Sequence, residues 1–303
     1  GASHPGDIKA LVDVVEPDYA IITNVGRAHL QGFGSFEGVI HTKGELYDFM
    51  RANHGLGNTD NGKTLREGKA PLSCVFIDSE NPYLNGIAQG LNLVRYGCKD
   101  DDQLWVSGHV DSCSPMLNFT WRHNDGTSVG APHATQTHLI GEYNITNMLA
   151  AVSIGLYFGV PADNIVKALS AYVPSNNRSQ FEQTADNRLI VDAYNANPTS
   201  MKAALENFRD MRADHKMCIL GMMGELGDVS REEHQKVVSF LEATGFEEVW
   251  LVGSEFEAVN PPFRTFHDVD EVKAAIAEDQ PVGRTILVKG SNSTKLFQLP
   301  ELL

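Results

Sequence analysis

From residue 189 onward the chain alternates short apolar runs with stretches of helical spacing, and few architectures accommodate that rhythm. The apolar runs fall at 189–193, 216–221, 248–252 and 285–289, each the length of a buried strand. Helical patterns lie between them at about 199–213, 230–244 and 268–278. Such alternation builds a mostly parallel sheet covered by helices, so residues 177–303 are read as a doubly wound, Rossmann-like domain. Ligands of open α/β sheets gather at the carboxyl ends of the strands. Asp192-Ala-Tyr-Asn-Ala-Asn-Pro-Thr-Ser-Met201 occupies such a place, because the apolar run at 189–191 stops where the polar loop begins. Pro198 can then open a helix at its first position. The loop alone also suits an ordinary turn, and it leaves both readings open. Two further strand ends carry polar loops, Gly221-Met-Met-Gly-Glu-Leu-Gly-Asp228 and Lys289-Gly-Ser-Asn-Ser-Thr294. The first holds no GxGxxG, so dinucleotide binding is not indicated.

The front of the chain is less regular. Gly1-Ala-Ser-His-Pro-Gly-Asp-Ile8 has no start methionine and no strand before it, and it reads like a chain entered midway. Ile8, Leu11, Val12 and Val15 fit a short amphipathic helix, and a strand is expected at 19–23. That strand ends in Asn24-Val-Gly-Arg-Ala-His-Leu30, again a polar loop. A helix follows over about 35–50, capped by Ser35 and carrying Lys43. Taken singly, His29 is a hydrogen-bonded loop histidine and Lys43 a solvated helix lysine. Gly57-Asn-Thr-Asp-Asn-Gly-Lys-Thr64 matches the phosphate-loop pattern GxxxxGK[ST] in letters. It lacks the required context, since it follows a helix and is succeeded by a Gly and a Pro without an apolar stripe, so a surface loop is expected. A strand is read at 73–78. Short alternating runs between about 103 and 140 suggest a small antiparallel sheet beside the main one. Gly141-Glu-Tyr-Asn-Ile-Thr-Asn147 leads into an apolar helix at 148–158, with Asn144 and Asn147 on one face of its start. Another helix at about 163–171 runs into a candidate hinge at 174–177.

A chain of 303 residues has room for two domains, divided here at 1–176 and 177–303. No apolar run approaches the roughly 20 residues that span a bilayer, and no secretory leader opens the sequence, so a cytoplasmic protein is expected. Cys74, Cys98, Cys113 and Cys218 show no paired spacing and read as free thiols. A net charge of −15 argues against a nucleic-acid or anionic-membrane partner, though not against a nucleotide held by local groups.

The ordered set of loops resembles the Mur ligase family. The segments that carry the resemblance begin with Gly1–Ile8, Thr23–Leu30, Thr42-Lys-Gly-Glu45 and Gly141–Asn147. Asn177-Arg-Ser-Gln180, Asp192–Ser200, Leu220–Gly227 and Lys289-Gly-Ser291 follow in family order over nearly the whole chain. The resemblance implies the remainder of a central ATPase-type α/β domain with a small antiparallel sheet, followed by a Rossmann-like C-terminal domain. It implies an ATP- and Mg²⁺-dependent amide ligase of peptidoglycan synthesis. The stretch Asp192-Ala-Tyr-Asn-Ala-Asn-Pro198 points to the branch that joins D-Ala-D-Ala to UDP-N-acetylmuramoyl-tripeptide. By the same resemblance His29 matches a metal-ligand histidine, although Mg²⁺ prefers oxygen. Lys43 matches a lysine carbamylated in several relatives and would then face the metal. Asn144 and Asn147 match asparagines near the adenine, Arg178 the arginine facing the ATP phosphates, and Asp192 the acid at the ribose or phosphates. Tyr194, Asn195 and Asn197 are expected to line the reaction cleft, with Glu225 and Lys289 in substrate binding. Asn292 stands where the family has Arg.

Family members start with a UDP-sugar domain and a Gly-Thr-Asn-Gly-Lys-Thr phosphate loop, followed by a metal-binding Glu. These precede the point where this sequence starts, so it reads as roughly the last two-thirds of such a ligase. Inactivity on its own and a monomeric state are the expectations. A ligase adding a different amino acid, and a non-catalytic module binding nucleotide or dipeptide, remain the alternatives.

Overall fold

Two six-stranded sheets organise the chain. The computed structural model describes residues 2–27, 29–54, 73–99, 101, 103–126, 128–174 and 179–303. The phosphate-loop imitation at 57–64, most of the candidate hinge and Arg178 lie outside the described residues.

The first sheet runs in sequence order through β1 (Tyr19–Ile21), β2 (Cys74–Asp78), β3 (Leu93–Gly97), β4 (Val106–Cys113), β5 (Met116–His123) and β6 (His133–Ile140). Strands β1 to β4 are parallel, and β4, β5 and β6 pair antiparallel. The antiparallel strands read from 103–140 therefore continue the main sheet through the Tyr96↔Val106 pairing. Strand β2 is buried along its whole length, and its side chains alternate between two cores as the twofold strand period requires. Val75 and Ile77 join the cluster that holds residues of α3 (Phe36–His54). Cys74 and Phe76 join the cluster under α5 (Ile145–Tyr157) and α6 (Ala162–Ala171). Ser35 begins α3 as expected, its hydroxyl accepting the Gly38 N–H at 3.0 Å. The first helix, α1 (Asp7–Val15), is held at its start by Glu45 of α3, whose carboxylate accepts the Gly6 and Lys9 N–H groups at 2.8 Å each. Of its apolar stripe only Val12 is buried. Two short helices, α2 (Leu30–Phe33) and α4 (Pro82–Ile87), complete this unit.

The second sheet has the order β11-β10-β9-β12-β8-β7. It contains β7 (Gln180–Gln183), β8 (Arg188–Asp192), β9 (Lys216–Gly221), β10 (Glu248–Val252), β11 (Arg264–Phe266) and β12 (Thr285–Lys289). All are parallel except β7, which pairs antiparallel with β8. Helices α7 (Pro198–Asp210) and α8 (Ser230–Thr244) contribute to the same cluster as Ile190, while α10 (Val269–Glu278) packs with Leu189 and Val191. A one-turn helix, α9 (Ser254–Glu257), lies between β10 and β11. Helix α7 begins where Pro198 placed it, under a reciprocal cap. The Asn197 side-chain oxygen Oδ1 accepts the Ser200 N–H at 2.9 Å, and the Ser200 hydroxyl accepts the Asn197 N–H at 3.2 Å.

The two units share apolar contacts. Val25, Leu30 and Phe33 of the first belong to one cluster with Met223 and Leu226 of the second. This common cluster brings the carboxyl end of β1 to those of β8 and β12.

Candidate active site

A cleft of about 400 Å³ lies where these strand ends meet. The first unit supplies Thr23, Asn24, Lys43, Asn144 and Asn147 to its walls; the second supplies Asp192, Asn195, Asn197, Thr199 and Lys289. Seven of the side chains singled out in the sequence therefore converge from two sheets. Sequence pattern places six of them at a strand end or a helix start and Lys43 within a helix, and the tertiary structure supplies their meeting.

The anionic side is built by sheet register. Lys289 ends β12 directly beside Asp192 at the end of β8. Its ammonium is fully buried and donates to Asp192 Oδ2 at 2.5 Å. The other oxygen, Oδ1, accepts the Ser179 N–H at 3.3 Å. Ser179 holds a left-handed backbone (φ 47°), and its hydroxyl shares a 2.7 Å hydrogen bond with the Tyr143 phenol. Desolvation pushes the Tyr143 pKa upward, so the phenol stays protonated. Tyr143 and Ser179 had no assigned role in the sequence, although both lie inside quoted motifs.

Lys43 donates to the Asn24 carbonyl at 2.9 Å. Burial pulls its pKa below that of an ordinary lysine, which enlarges the neutral-amine fraction. The two asparagines differ in role. Asn144 is buried, and its amide nitrogen donates to the Ile140 carbonyl at 2.8 Å. Its amide oxygen accepts from Asn147 at 3.1 Å, so Asn144 orients Asn147, which is the more exposed of the pair. Asn197 lines the cleft while also capping α7.

Three assigned residues are not among those lining the cleft. Tyr194 is 48% exposed. His29 and Glu225 instead pair with each other across the two units, imidazole Nδ1 against carboxylate Oε2. Both have left-handed backbones, φ 54° and 59°, and the Glu225 carbonyl accepts the Gln31 N–H at 3.1 Å. Strain at two facing non-glycine residues is often found at functional sites. A cation site is not complete among the described residues. No group of three or more His, Cys, Asp or Glu side chains suited to a metal converges there, and Lys43 points its ammonium at a carbonyl.

The family profile of the Mur ligase middle domain matches residues 1–155, and that of the Mur ligase glutamate ligase domain matches 177–292. UDP-N-acetylmuramoyl-tripeptide–D-alanyl-D-alanine ligase of Escherichia coli K12 is 29% identical, covering all of this chain and 64% of its own length. The Bacillus subtilis ligase of the same name is 27% identical, covering 99% of this chain and 62% of its own. Among solved structures, MurF from Acinetobacter baumannii superposes with a TM-score of 0.78 at 26% identity, covering 99% of this chain and 62% of that one. The chain thus spans somewhat less than two-thirds of the relatives it matches.

Proposed function

The chain belongs to the Mur ligase family, and from that premise we propose that its cleft serves an ATP-dependent amide ligase joining D-Ala-D-Ala to UDP-N-acetylmuramoyl-tripeptide. The observation that carries this reading is the convergence of Lys43, Asn147, Asp192, Asn195 and Asn197 from two units on one cleft. An acyl-phosphate ligase has to hold a nucleotide and two substrates in line, and a cleft between two α/β units provides opposed walls for that. In the proposed reaction a phosphoryl group passes from ATP to the terminal carboxylate of the tripeptide. The free amine of D-Ala-D-Ala then attacks the acyl carbon, the amide bond forms and phosphate leaves.

In this reading Asn147, oriented by Asn144, contacts the nucleotide base, and an amide can both donate to and accept from it. Asp192, held by Lys289 and the Ser179 N–H, accepts from the ribose. Lys43, as an ammonium, offsets charge on the transferring phosphoryl group. Asn195 and Asn197 position the peptide substrates, with Tyr194 beside them. Arg178 is assigned to the phosphates by resemblance alone. By resemblance His29, and Lys43 if carbamylated, would hold the Mg²⁺ that accompanies ATP, an ion that takes most of its ligands from phosphates and water; no step here depends on it. The proposed domain division falls at 176/177.

The test is phosphate release from Mg²⁺-ATP with UDP-N-acetylmuramoyl-tripeptide, with and without D-Ala-D-Ala. It is run on these 303 residues and on a chain extended at its N-terminus to the length of the relatives. Dipeptide-dependent release from either chain supports the proposal. Release that depends instead on a single amino acid transfers the reading to another member of the family. Silence from both chains, with nucleotide binding intact, overturns catalysis in favour of a binding module.

A further inference from the structure

The loop that leaves β1 reaches the second unit at three separate places. Its Arg27 backbone N–H donates to the Thr199 hydroxyl in the first turn of α7 at 3.2 Å. The Arg27 guanidinium donates to Glu233 Oε1 on α8 at 3.3 Å. Two residues further on, His29 meets Glu225 on the loop after β9. Glu233 is 6% exposed, an uncommon setting for a carboxylate, and its other cation is Lys236 of its own helix at 2.9 Å. Arg27 also lies over the Phe36 ring, 5.8 Å from its centroid, which anchors the guanidinium to the first unit.

The geometry points to Arg27 as a positioning residue that sets the register of the second unit on the first. Apolar contact between Val25, Leu30 and Phe33 and the Met223–Leu226 side supplies adhesion, but such contact is not directional and permits sliding. A guanidinium hydrogen-bonded to a nearly buried carboxylate is directional. The same loop presents Thr23 and Asn24 to the cleft, and α7 presents Asn197 and Thr199 to it. Fixing Arg27 on α7 and α8 therefore fixes the distance between the two cleft walls. Arg27 itself is absent from the cleft lining and acts through Thr199, Glu233 and the loop it belongs to.

The inference concerns the arrangement of the units and stands whether or not the ligase reading does. Spin labels at Val14→Cys and Val282→Cys, both well exposed and on opposite units, report the distance between them in a C98S/C113S background. Arg27→Ala is expected to broaden the distance distribution and shift it to longer values, with Arg27→Lys closer to the parent. Glu233→Gln should broaden the parent but add little to R27A, because both remove one interaction. Raising the salt concentration should broaden the parent and leave R27A unmoved. An R27A distribution that superimposes on the parent, or fully additive effects of R27A and E233Q, would overturn the assignment.

Discussion

At the scale of single residues, the pair Asp192–Lys289 shows how one ion pair serves both stability and the site. Either charge of this pair is left uncompensated when the other is removed, and loss of one partner of a buried pair is destabilising by about 3–5 kcal/mol. Lys289→Met should therefore lower the unfolding free energy by about 3 kcal/mol, measured by urea denaturation. The double variant D192N/K289M, which removes both charges, should recover a large part of that loss. Simple additivity of the two single effects would show that the residues do not act as a pair. The sequence placed both at strand ends. Their roles, Lys289 at substrate and Asp192 at nucleotide, came from the family resemblance; their adjacency could not be read, because strand order is not written in local periodicity. Asn144 is a similar case: helical spacing put it on one face with Asn147, but only the packed structure shows that it orients its neighbour.

Between residue and fold, the loop after β9 is held by α8. His234 is fully buried, accepts the Met223 N–H on Nε2 at 3.0 Å, and bonds through Nδ1 to the Ser230 carbonyl at 2.8 Å. Accepting on Nε2 requires a neutral ring, with Nδ1–H as the donor to Ser230. Burial pulls its pKa below 6.5, an effect partly opposed by the Ser230 hydrogen bond and by Glu255 and Glu233. The unfolded chain therefore takes up the proton first as pH falls. Stability from this group is complete above 6.5, declines as pH drops toward the lowered folded value, and levels off below it. The slope is at most about 1.4 kcal/mol per pH unit for one proton. Denaturant midpoints between pH 7.5 and 5.5 should fall more steeply for the parent than for His234→Gln; parallel curves would exclude the histidine as the source. Among the elements themselves, the expected strands and helices of residues 189–289 match the structure within a few residues at their ends. Strand β11 escaped notice because only Phe266 of its three residues is buried, which leaves no apolar run to read. Strand β7 escaped because none of its residues is buried.

Across the whole molecule, the shared apolar cluster joins the two units more closely than a linker alone would. Interfaces between domains of one chain are often small and polar enough for independent motion. Here Ile22, Val25, Leu30 and Phe33 belong to the same cluster as Met201, Met223 and Leu226. The two units are accordingly expected to unfold in one calorimetric transition, with equal calorimetric and van't Hoff enthalpies. Two resolved transitions would show that the common cluster is too weak to couple them. The polar contacts of Arg27 and His29 lie on top of this adhesion and add direction to it.

The sequence by itself determined the class of fold, the alternation of elements, the strand-end position of each polar loop and the family. The first three depend on interactions within a few residues: side-chain period, proline and asparagine at a helix start, and apolar runs that need burial; the family was carried by the resemblance of an ordered set of motifs. Tertiary structure alone decided which loops face one another. It put Lys289 beside Asp192, paired His29 with Glu225, and set Arg27 on a nearly buried glutamate. Those pairings join positions 97, 196 and 206 residues apart. Contacts over such separations are fixed by sheet order and by the packing of two units together, and neither leaves a period in the chain.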